Sequence, residues 1–212
     1  MAHYDLEEQE QIDTLKTWWK LYGNLVTGLV MAGALAVVGW QGWNWYQGGQ
    51  AAKAAAIYSV LEQAVAAGDA QKVKAAAGEL AEKFGGTSYA ALGAMLAARQ
   101  SFDNGDLKTA KTQLAWVVEH GKHEARDLAR LRLAAVQLDE QAYDDALKQL
   151  EAAHAPAFAA RFLELKGDVL SAQGKTPEAR AAYQAALDKQ GDKPSATREL
   201  LQQKLDSLGG AT

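Results

Sequence analysis

Leu25-Val26-Thr27-Gly28-Leu29-Val30-Met31-Ala32-Gly33-Ala34-Leu35-Ala36-Val37-Val38-Gly39-Trp40 sits at the centre of a longer gap, from Lys20 to Lys53, that contains no charged side chain. A helix needs about 20 apolar residues to cross the hydrocarbon of a bilayer. Residues 23–46 supply them. Trp18, Trp19 and Tyr22 stand at one end, and Trp40, Trp43, Trp45 and Tyr46 at the other. Such rings favour the headgroup zone at both faces of a membrane. From Tyr22 to Trp40 a helix rises about 27 Å, close to one hydrocarbon thickness. The stretch therefore reads as a transmembrane helix in contact with the lipid bilayer, rather than as the buried core helix of a soluble domain. A cleaved signal peptide fits less well. Asp5, Glu7, Glu8, Glu10 and Asp13 precede the run where a basic region belongs, and bulky rings follow it where a cleavage site belongs.

Orientation follows from the flanking lysines. Lys16 and Lys20 precede the helix, and Lys53 alone follows closely. By the positive-inside rule, residues 1–22 form a short cytoplasmic segment and residues 47–212 lie on the far side. Within the helix, Gly28, Ala32 and Ala36 recur every four residues. Such a small-residue face lets a second membrane helix approach closely, so it is a candidate packing face.

Residues 47–212 are long enough for one domain with its own core. The chain has three prolines, no cysteine and abundant alanine, with no alternating run of β-branched residues. That composition favours helix throughout. The net charge is −4 with no basic block, which gives nucleic acid no electrostatic foothold. Four turn segments align: Gly68-Asp69-Ala70-Gln71-Lys72-Val73, Gly105-Asp106-Leu107-Lys108-Thr109-Ala110, Gln141-Ala142-Tyr143-Asp144-Asp145-Ala146 and Gly174-Lys175-Thr176-Pro177-Glu178-Ala179. Their last residues are 37, 36 and 33 positions apart, near the 34-residue period of tetratricopeptide repeats. Gly167, Leu170, Gly174, Ala179, Tyr183, Ala186 and Leu187 place the small and large packing residues of the last repeat. The first three repeats are looser: Val73 replaces the small residue in the first, and Gln141 the turn glycine in the third. The fold class is all-α: one N-terminal transmembrane helix, then a tetratricopeptide-like solenoid of helical hairpins. A nonrepetitive helical bundle with similar turns is the alternative.

No catalytic, cofactor or metal constellation emerges. His120 and His123 are interrupted by Gly121 and lack the further ligands of a zinc site. Gly48-Gly49, Gly85-Gly86 and Gly209-Gly210 lack the context of phosphate loops, and read as linker, helix stop and tail. Ser88, Ser101 and Ser171 have no matched base. Arg126, Asp127, Arg130 and Arg132 read as a solvated charged face. A non-enzymatic interaction protein is the expectation.

Glu10-Gln11-Ile12-Asp13-Thr14-Leu15-Lys16-Thr17-Trp18-Trp19, Gly39-Trp40-Gln41-Gly42-Trp43, Thr87-Ser88-Tyr89-Ala90-Ala91-Leu92-Gly93, Leu131-Arg132-Leu133-Ala134 and Glu164-Leu165-Lys166-Gly167-Asp168 together resemble the bacterial YfgM family of ancillary SecYEG translocon subunits. The resemblance implies a single-pass inner-membrane protein with a cytoplasmic N-terminus and a periplasmic repeat domain. It implies as partners the SecYEG translocon, a membrane-anchored periplasmic prolyl-isomerase-like chaperone, and unfolded client proteins handed on after translocation. A membrane-anchored scaffold for an envelope assembly or secretion machine would show the same features. In the last repeat, standard repeat geometry turns Arg161, Glu164, Asp168 and Ser171 toward a partner-facing groove.

Overall fold

A computed structural model describes residues 6–191 and 194–209, and the side chains from residue 11 onward. Among the described residues there are helices and turns but no strand. The chain divides into two units, Met1–Gln50 and Ala51–Thr212.

In the first unit the backbone is helical from Leu6. Its most apolar 18-residue window has a mean hydropathy of 1.8, and only 6% of it is buried. A soluble core helix of that composition would be covered, because apolar surface left in water costs about 25 cal/mol per Å². Leu29, Val30, Leu35 and Val38 are instead each about two-thirds exposed. The structure thus supplies a helix long and apolar enough to cross a membrane, with its apolar surface unmet by protein. Ring pairs cluster at its two ends: Trp18 with Tyr22, centroids 5.8 Å apart, and Trp43 with Tyr46 at 6.2 Å.

Helix α1 runs Leu6–Ala66, so Gly48 and Gly49 lie within it. The sequence reading of a linker there is corrected. Each glycine costs a helix about 1 kcal/mol relative to alanine. The run of Ala51, Ala52, Lys53, Ala54, Ala55 and Ala56 that follows propagates the helix past them.

The second unit is a row of helical hairpins. The Ala51–Ala66 part of α1 pairs with α2 (Ala70–Phe84), α3 (Ser88–Asp103) with α4 (Leu107–His120), α5 (His123–Asp139) with α6 (Tyr143–Leu150), and α7 (Ala159–Ala172) with α8 (Thr176–Gln190). A last helix, α9 (Ala196–Ser207), packs on α8. The core is correspondingly serial. Ala54 and Leu61 meet Ala77, Leu80 and Ala90; Ala94 and Met95 meet Leu114, Val117 and Leu133. Further along, Ala134 and Leu150 meet Phe162 and Val169, and Leu170 and Tyr183 meet Leu201. Each cluster joins one hairpin to its neighbour, the one-dimensional packing of repeat proteins.

The turns show why the hairpins repeat. In all four, the backbone N–H three residues past the helix bonds back to a carbonyl five residues earlier: Asp69 to Ala64 at 2.9 Å, Asp106 to Ser101 at 2.8 Å, Ala142 to Gln137 at 2.8 Å, Lys175 to Leu170 at 2.9 Å. A second bond closes each turn, from Gly68 to Val65, Gly105 to Phe102, Gln141 to Leu138 and Gly174 to Ser171. This paired pattern is a Schellman motif, which needs a left-handed residue at its centre. Gly68, Gly105 and Gly174 take φ of 68°, 78° and 75°, and Gln141 takes 60° in the same place. Three turns use the residue best suited to that conformation, and the third is strained. The small residues that close the aligned segments, Val73, Ala110, Ala146 and Ala179, are all buried. The four-fold alignment is therefore structural, and it excludes an irregular bundle.

Helix ends follow local chemistry. The Asp69 and Asp106 carboxylates accept from the N–H groups of Lys72 and Thr109, both at 3.0 Å, capping α2 and α4. These bonds hold both carboxyls below their ordinary pKa. Gly85 caps α2, in line with the helix stop expected there, and Gly209 follows α9 at φ 87°; Gly210 falls outside the described residues.

Candidate functional site

Arg161, Glu164, Asp168 and Ser171 lie along one stripe of α7, three or four residues apart. Arg161 is exposed, and the other three are half-buried. What covers Glu164 and Asp168 is α9. Leu201 is wholly buried against α8, with Leu205 and Leu208 joining the same cluster. That packing delivers Lys204 to the α7 carboxylates. Its ammonium donates to Glu164 Oε1 at 2.9 Å and to Asp168 Oδ1 and Oδ2 at 2.8 and 2.9 Å. The Tyr183 hydroxyl donates to Asp168 Oδ1 at 2.7 Å. The structure brings Glu164 and Asp168 together around one cation; Arg161 and Ser171 stay outside that cluster.

The sequence reading missed Lys204 and the Tyr183 hydroxyl in this role. Lys204 sits 36 and 40 positions from its acceptors, and no local motif joins them. The apolar spacing of Leu201, Leu205 and Leu208 was the available signal for a covering helix.

Electrostatics decide what the cluster can do. Burial opposes the charge on Lys204, but the hydrogen bonds it donates to Asp168 and Glu164 outweigh that, and its pKa is raised. Burial, then the bond to Asp168, also pushes the Tyr183 phenol up. A nucleophilic lysine or a basic tyrosinate needs the opposite shift. The cluster is a latch between α7, α8 and α9, with the chemistry of a salt bridge. Gly167 makes room for it: a Cβ there would collide with the Tyr183 ring.

The arginine face of α5 also differs from the expectation. Asp127 is 5% exposed, so it is not solvated. Its Oδ2 accepts from the Ala155 N–H at 2.8 Å, and Arg130 donates to the Ala153 carbonyl at 2.7 Å. Arg126 donates to the Gly121 carbonyl at 3.1 Å. These groups tie down the segment before α5 and the one after α6, which approaches a 3-10 turn at Pro156–Phe158. A buried carboxylate persists only when such donors replace its water.

His120 is engaged within its own turn: its Nδ1 lies 3.0 Å from the Trp116 carbonyl, which accepts, and its ring stacks on Trp116 at 4.8 Å. Among the described residues, no group of three or more His, Cys, Asp or Glu is placed to hold a metal. Gly28, Ala32 and Ala36 fall on one exposed stripe of α1, and a Cβ on Gly28 would meet nothing within 4 Å.

Comparison with known proteins supplies the context for this architecture. A family model described as a tetratricopeptide repeat-like domain matches residues 16–210. A Neisseria gonorrhoeae protein named ancillary SecYEG translocon subunit is 35% identical over 208 residues, covering 96% of this chain and 98% of that one. Proteins of the same name from Escherichia coli K12 and Haemophilus influenzae are each 29% identical. They cover 95% and 86% of this chain, and 96% and 90% of their own lengths. With a repeat-like model matched across both units and a relative aligned almost end to end, the chain belongs to the tetratricopeptide repeat-like family of ancillary SecYEG translocon subunits.

Proposed function

We propose that this protein is a non-catalytic subunit at the SecYEG translocon that passes newly translocated chains to periplasmic chaperones. Residues 23–46 anchor it in the inner membrane, residues 1–22 stay in the cytoplasm, and residues 47–212 form the periplasmic repeat domain. Its partners are the translocon, a membrane-anchored prolyl-isomerase-like chaperone and unfolded clients. The observation that carries this reading is the end-to-end match to proteins of that name, over a chain that joins a membrane-length helix to a repeat stack. Mechanically, an anchor raises the local concentration of the domain for chains emerging beside it. The exposed faces of the first helix in each hairpin offer the binding surface. The stripe from Arg161 to Ser171 belongs to it, with the Lys204 latch setting how much of that stripe a partner reaches.

The stripe of Gly28, Ala32 and Ala36 packs against a neighbouring membrane helix. Replacing Gly28 and Ala32 with Ile should remove a co-purifying membrane partner; unchanged co-purification would refute this face.

In-cell photo-cross-linking from positions across residues 51–209 tests the whole reading. Translocon subunits and periplasmic chaperones among the adducts are the expected result. Adducts confined to one envelope assembly machine would replace it with a scaffold role, and cytoplasmic adducts would overturn the orientation.

A further inference from the structure

Helices α3, α4 and α5 enclose a cleft of about 280 Å³ that no role described above uses. Its apolar floor is Ala98, Leu114 and Val136, and Phe102 stands at its edge, 39% exposed. Arg99 from α3 and Arg132 from α5 line the same cleft. The two arginines are not equivalent. Arg99 has a loose partner in Asp103, its Nε 3.7 Å from Oδ2. Arg132 pairs with no carboxylate among the described residues, whereas its helix neighbours Arg126 and Arg130 are both spent on backbone carbonyls.

Such an arrangement is costly without a ligand. Burial and the like charge of Arg99 both press the Arg132 pKa down. An arginine keeps its proton regardless, so the cost is relieved by bringing in a negative charge. A guanidinium presents a planar fork that matches a carboxylate in two parallel bonds. The floor beside it favours an apolar side chain. At this volume the cleft suits one anchoring side chain rather than a free, drug-sized ligand. The acidic balance of the chain, −4 overall, makes this basic pair a local exception and argues against a long polyanion.

We propose that the α3–α5 cleft docks an acidic peptide segment of a partner protein, seating one bulky apolar side chain on Ala98, Leu114 and Val136 while flanking carboxylates bind Arg132 and Arg99. Asp103 then yields Arg99 to the incoming carboxylate. This deepens the translocon-subunit reading by naming a surface and a ligand chemistry, and it rests on that reading only for where the partner is found.

The test uses the full chain in detergent micelles and a dye-labelled peptide with Leu-Phe at its centre and Asp and Glu on both sides. Fluorescence anisotropy should show binding that weakens with salt, as charge pairing at a surface does. Arg132→Glu should weaken it about tenfold and Arg132→Lys less, because lysine keeps the charge but loses the fork. Both variants should keep the parent's circular dichroism, since the Arg132 side chain is only partly covered by the cleft and reaches solvent. The proposal is overturned if the acidic peptide does not bind, if its Asn/Gln counterpart binds equally well, if Arg132→Glu leaves binding unchanged, or if inorganic phosphate competes at the peptide's own affinity. The two readings separate in the cell. Translocon adducts with no peptide binding would sink the cleft and spare the proposed function. Peptide binding through Arg132 with no translocon adduct would do the reverse.

Discussion

Gln141 is at odds with its position. It holds φ at 60° where the three equivalent turns have glycine. A side chain in that conformation costs about 1–2 kcal/mol, and glycine gives part of that back in chain entropy. Gln141→Gly should therefore stabilise the domain by about 0.5–1 kcal/mol, seen as a higher midpoint in urea with the slope unchanged. Gly167 is the opposite case. The Tyr183 ring lies where its Cβ would be, so Gly167→Ala must displace the ring and loosen the hydroxyl from Asp168. Overpacking of this kind costs about 1–3 kcal/mol. A variant with unchanged thermal stability would show that the α7–α8 contact is softer than this geometry implies.

At the scale of the element, α9 is held by two different forces. Leu201 contributes burial, which does not depend on pH, and Lys204 contributes a charge that does. The folded pKa of Lys204 is raised above that of the unfolded chain. Its contribution is then complete below about pH 10.4, the ordinary lysine value, and is lost as pH climbs through the folded value. Lys204→Met should lower the melting temperature by the same amount across neutral pH, and that gap should close only in strongly alkaline buffer. The carboxylate caps Asp69 and Asp106 run the other way. Their lowered values stabilise α2 and α4 above about pH 4, and the benefit fades as pH falls further. Hydrogen exchange at the first turns of α2 and α4 should rise there.

For the whole molecule, orientation is the property on which the proposed function most depends. The chain contains no cysteine, so any single introduced cysteine reports cleanly. A thiol placed at Ser207 should react with a membrane-impermeant maleimide once the outer membrane is permeabilised, and one at Thr17 should not. Reversed labelling would put the repeat domain in the cytoplasm and end the hand-over reading.

The anchor, the repeat register and the family were legible in the sequence because each is written locally. A charge-free gap bounded by aromatic rings needs no tertiary contact to be read, and a Schellman turn is encoded in a few adjacent residues. Hence Gly68, Gly105 and Gly174 announced their turns, and Val73, Ala110, Ala146 and Ala179 their buried positions. Only the tertiary structure decided which carboxylates meet which cations. Asp127 looks like a surface charge until Ala155, 28 positions away, lends it an N–H. Glu164 and Asp168 look open until α9 brings Lys204 across, and Arg132 looks ordinary until α3 sets Arg99 and an apolar floor beside it. The physical reason is range. Backbone hydrogen bonding and hydropathy act over a few residues of chain, whereas burial, charge pairing and clefts depend on which segments the folded stack places side by side.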